Sequence, residues 1–148
     1  MVTRRPATAA TRPASRSTIA RTQRNLDEVG RQQAKALGES FRNHGVRVDR
    51  SSPWCRCVET AHLMAVGPVE RSWALVPDMS PNATVRLLEL KEMVSTWRGP
   101  GTLVLVTHAL TVRPLIGILP DQGETVVLKP TPGRGPGVDV VGRIAAPQ

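Results

Sequence analysis

Leu103-Val104-Leu105-Val106 is an unbroken apolar run, half of it valine. Such a run reads as a strand buried on both faces, the usual state in a parallel sheet covered by helices. It ends at Thr107-His108, after which Ala109–Gly117 resumes an apolar pattern at helical spacing through Leu110, Val112, Leu115 and Ile116. A titratable residue at the carboxyl end of a buried strand, just before a helix, stands where open α/β sheets hold their ligands. His108 is therefore a candidate site residue. The competing role for it is structural, as a helix cap or a partner of a loop carbonyl.

Earlier in the chain, Asn25–Gly45 reads as a helix. Asn25 or Asp27 can cap it, Glu28 adds negative charge to the first turn, and Gly45 ends it. Leu26, Val29, Gln33, Ala34, Leu37 and Phe41 fall near one face. Val46–Ser51 reads as a short strand, and Ser52-Pro53 opens a second helix, Trp54–Val66. A Ser-Ser turn running into a helix N-terminus suits an anion, because backbone N–H groups point outward and the helix dipole favours negative charge. Arg56 lies in that first turn, and its planar fork can hold two oxygens of a phosphate. Its alternative fate is a surface pair with Glu59 or Glu70. His44 and His62 read as exposed helix residues, and Cys55 and Cys57 as small apolar side chains on a helix.

Beyond these segments, a short edge strand is expected within Val69–Leu75 and a third helix over Pro81–Trp97, carrying Glu89 and Glu92. Glu124–Leu128 and Asp139–Ile144 read as an antiparallel pair of strands across the Gly- and Pro-rich stretch Pro130–Gly137. Helices alternating with buried strands make an α/β domain, three layers of helix, mixed sheet and helix.

Charge is lopsided. The chain carries +8, but Met1–Arg24 holds six arginines and no acid, so the remainder stands near +2. Residues 1–20 read as a basic, disordered arm, and 21–148 as the domain. Such an arm binds nucleic acid only nonspecifically. With one phenylalanine and no tyrosine, the chain lacks a stacking platform for single strands. No apolar run reaches membrane-spanning length, and a reducing, cytoplasmic setting is expected.

Three segments in this order resemble the histidine phosphatase (phosphoglycerate-mutase-like) superfamily. They are Leu26-Asp27-x-x-Gly30-x-x-Gln33-Ala34, then Ser51, Ser52, Arg56, Thr60 and Ala61, then the strand ending at His108. The resemblance implies hydrolysis of phosphomonoesters without metal or cofactor. A histidine on the first strand attacks phosphorus, two arginines and a second histidine hold the oxygens, and a carboxylic acid protonates the leaving group. Arg56 matches the second arginine and His108 the second histidine, with Ser52 beside them. Glu89 is the first choice for the acid and Glu92 the second. The implied partner is a phosphorylated small molecule or a phosphoprotein.

The family's opening strand, ending in Arg-His-Gly, has no counterpart. The only histidines are His44, His62 and His108. The resemblance thus implies a fold lacking its central first strand, and an enzyme impaired or inactive for want of its nucleophile. The alternative is a non-catalytic domain that binds a phosphoryl ligand or a protein. Thr3-Arg4-Arg5-Pro6 can be encoded by nucleotides that spell His-Ala-Ala-Thr when read one base earlier. A shifted frame or a misassigned start would account for the missing strand.

Overall fold

A computed structural model describes residues 24–131 and 137–148. The expectation of a basic disordered arm over 1–20 lies outside them. Asp27 caps helix α1 (Glu28–Arg42), its carboxylate accepting from the Gly30 N–H at 2.8 Å. Of the expected face, Ala34 is buried, and Leu37 and Phe41 pack on the core. Val29 instead stands 64% exposed, one turn too early to reach it.

Strand β1 (Val46–Ser51) leads to helix α2 (Cys55–Met64), whose N-cap is Trp54. Pro53 therefore precedes the helix rather than sitting in its first turn. Strand β2 is only Glu70–Arg71, and the rest of the expected strand is a 3-10 turn, Trp73–Leu75. Ala74, Leu75 and Val76 are buried in succession, which a tight turn allows and an alternating strand does not. Helix α3 (Ala83–Ser95) buries Leu90 and leaves Val85 and Leu88 more than half exposed. Strand β3 (Thr102–Val106), helix α4 (Ala109–Ile116), and strands β4 (Thr125–Thr131) and β5 (Gly137–Ile144) complete the order.

The parallel and antiparallel pairings form two separate sheets. One is parallel in the order β2-β1-β3, and the other is the antiparallel hairpin β4-β5. Glu124 of the hairpin pairs with Arg143, with Nη2 and Oε2 2.7 Å apart. In the parallel sheet Val46 faces Thr102. The register slips once between Val48 and Arg50, and Ser51 comes level with Val106. One face is covered by α1 and α2: Ala61 and Met64 form a cluster with Leu37, Phe41, Val104 and Val106. On the other face Leu103 lines a small cavity with Met93 of α3 and Trp97 just beyond that helix. The architecture is thus α/β with helices on both faces of the parallel sheet.

Gly38 sits where α1 crosses α2. A Cβ there would stand 2.0 Å from the Met64 carbonyl oxygen, so only glycine lets the two helices approach this closely. Among the described residues β3 pairs with β1 alone, and Leu103–Val106 are only half buried despite their apolar character.

Candidate functional site

Parallel pairing brings the carboxyl ends of β1 and β3 side by side. The Ser52 N–H donates to the Val106 carbonyl at 2.9 Å, which extends the ladder by one bond past the strands. Two helices then start from adjacent points. The N-cap of α2 is Trp54 and that of α4 is His108, and neither side chain makes a capping bond to its helix. Both helix starts lie at the same sheet end, where their dipoles favour an anion.

Three side chains from these two starts are in contact. Arg56 Nη2 lies 3.0 Å from His108 Nδ1, and His108 Nε2 lies 2.9 Å from Ser52 Oγ. The Arg56 guanidinium also lies over the Trp54 ring, 4.7 Å from its centroid, a cation–π contact. The same indole meets the His108 ring edge-on at 4.6 Å. Glu59, the alternative partner for Arg56, is taken by Arg31 at 2.7 Å. Neighbouring backbone holds the base of the site: Thr107 Oγ1 and Thr111 Oγ1 both donate to the Leu75 carbonyl, at 2.7 and 3.3 Å.

Electrostatics follow from this packing. Burial, and then the adjacent Arg56 cation, push His108 down to about 4. The ring is therefore neutral near pH 7. Cys57 Sγ stands 3.5 Å from His108 Nε2 and 3.7 Å from the Thr107 carbonyl. Burial pushes this thiol up to about 11, so the pair is thiol and imidazole, not thiolate and imidazolium. Cys57 and Trp54 belong to the site although neither was singled out for it from sequence. The available signal was their spacing, one residue after and two before Arg56 at a helix start.

Glu89 and Glu92 are exposed on α3. Neither makes a side-chain hydrogen bond or ion pair among the described residues, and neither acts on His108. The structure brings Ser52, Arg56 and His108 together, and among the described residues no carboxylate is hydrogen-bonded to them. His44, just after α1, and His62, near the far end of α2, are exposed. Among the described residues no group of three or more His, Cys, Asp and Glu is arranged to hold a metal ion. No helix there is long and apolar enough to cross a membrane.

A guanidinium, a hydroxyl and an imidazole thus meet at two helix starts, over the carboxyl ends of parallel strands, the end at which open α/β sheets hold their ligands. Residues 7–75 match the model of the histidine phosphatase superfamily (branch 1). The match takes in the Leu26–Ala34 segment, the Ser51-Ser52 turn and Arg56, and stops short of His108. No curated protein sequence matches the chain.

Proposed function

We propose that this phosphatase-like domain binds the phosphoryl group of a phosphorylated small molecule or phosphoprotein between Ser52, Arg56 and His108. On this reading it turns phosphomonoesters over slowly or not at all. The observation that carries the reading is the 3.0 Å approach of Arg56 to His108, with Ser52 completing the arc. These two side chains lie 52 positions apart in sequence and come from different helices, and both suit a phosphate.

The weak turnover follows from chemistry. The family reaction needs an attacking imidazole as well as a holding one, and His108 is the single histidine of this site. Without a nucleophile the covalent step is lost, while charge stabilisation by the remaining groups still gives some rate. The family match begins at residue 7, immediately after Thr3-Arg4-Arg5-Pro6.

Inorganic phosphate binding, measured by calorimetry on the wild type, Arg56→Ala and His108→Ala, tests the proposal. Binding in the wild type and its loss in both variants is expected. Hydrolysis of p-nitrophenyl phosphate should be weak and should vanish with His108→Ala. A chain whose N-terminus is restored from the upstream frame should gain acid-labile phosphate. Phosphate binding untouched by both substitutions would refute the pocket, and brisk turnover by the wild type would refute the missing nucleophile.

A further inference from the structure

A guanidinium can only donate. With Arg56 Nη2 3.0 Å away, His108 Nδ1 must offer its lone pair. The single proton of the neutral ring then sits on Nε2, where it is donated to Ser52 Oγ at 2.9 Å. The tautomer is thus fixed by its two partners. The ring is also held in place, with the Trp54 indole edge-on at 4.6 Å and Cys57 Sγ at 3.5 Å.

We infer that the pocket takes up an oxyanion together with one proton, and that the proton lands on His108 Nδ1. The inference rests on the reading of this pocket as an oxyanion site. An anion held by the Arg56 fork arrives on the Nδ1 side of the ring. There its oxygen lone pairs meet a nitrogen lone pair, which repels them. The ring cannot turn its N–H toward the anion without giving up Ser52. A proton on Nδ1 removes the conflict, because the imidazolium donates at both nitrogens, to the anion and to Ser52.

Proton and anion help each other for a second reason. Two causes hold the free ring neutral, burial and the Arg56 cation. The anion cancels the field of that cation, so protonation becomes easier once it is bound. The other groups facing the ring do not compete for the proton. From α2 these are Arg56 and the Cys57 thiol, which is neutral; from the turn before it they are the Ser52 hydroxyl and the Trp54 indole. The proton comes from solvent, or from the ligand itself where the ligand carries an acidic O–H. A phosphomonoester monoanion can thus bring its own proton, and a dianion must recruit one.

Sulfate separates the protein's proton from the ligand's, because it stays doubly charged throughout the range that matters. Calorimetric titration of the full chain with sulfate, in buffers of differing ionisation heat, counts the protons taken up. Close to one per anion is expected at pH 6. Affinity should fall about tenfold per pH unit between pH 5 and 6.5. His108→Gln, which cannot titrate, should bind sulfate with a flat pH dependence. Nitrogen-15 spectra of the wild type give a readout independent of any substitution: sulfate should move the Nδ1 signal of His108 from the lone-pair to the protonated position. Sulfate binding that depends on Arg56 but is flat with pH and takes up no proton would overturn the inference and leave the oxyanion site standing. Failure of sulfate to bind at any pH from 5 to 8 would end both.

Discussion

His108 links the site to the stability of the domain. Its ordinary value, near 6.5, applies in the unfolded chain, whereas the fold holds it down to about 4. On acidification the unfolded chain therefore gains its proton first. The stability associated with a neutral His108 is complete above about pH 6.5 and is lost as pH falls toward 4. Thermal melting between pH 7 and 4 should show this decline, and His108→Gln should flatten it in that window. A decline of equal steepness in the variant would assign the acid sensitivity elsewhere. The ring's role was legible in sequence as a polar residue closing an apolar strand. Its protonation state was not, because that depends first on burial in the folded chain and then on the Arg56 partner 52 positions away.

At the level of elements, the crossing of α1 and α2 is the tightest constraint. Gly38→Ala places a methyl group 2.0 Å from the Met64 carbonyl oxygen, so backbone must move to accept it. Overpacking of this kind costs about 1–3 kcal/mol, which offsets or exceeds the roughly 1 kcal/mol helix-propensity gain from alanine. Urea denaturation should show a lower midpoint with an unchanged slope, and unaltered stability would mean that the helices separate freely. The two helices themselves were legible from apolar spacing and the Asp27 cap. The segment after β2 was not, because Val69, Trp73, Leu75 and Val76 satisfy a strand pattern by composition alone. What decides their fate is the Leu75 carbonyl, claimed by Thr107 and Thr111 from elements far along the chain. The Glu89 assignment had no motif behind it, and α3 turns Leu90 inward and Glu89 to solvent.

For the molecule as a whole, the α/β architecture was legible because buried strands and amphipathic helices carry different periods. The division into two sheets was not, since pairing partners are set by tertiary packing. Ser51 lies level with Val106, and that register sets Ser52 beside the start of α4. A slip of one residue would turn every side chain of a strand to the opposite face. Arg56 and His108 would then no longer meet. The proposed pocket is in effect a vernier scale: it closes only when two strands are correctly aligned, and a ligand seated there would clamp the alignment. Raising sulfate tenfold above saturation should therefore add about 1.4 kcal/mol to the native state, visible as a higher melting temperature in the wild type. Arg56→Ala should respond to sulfate only as much as any protein responds to an excluded salt.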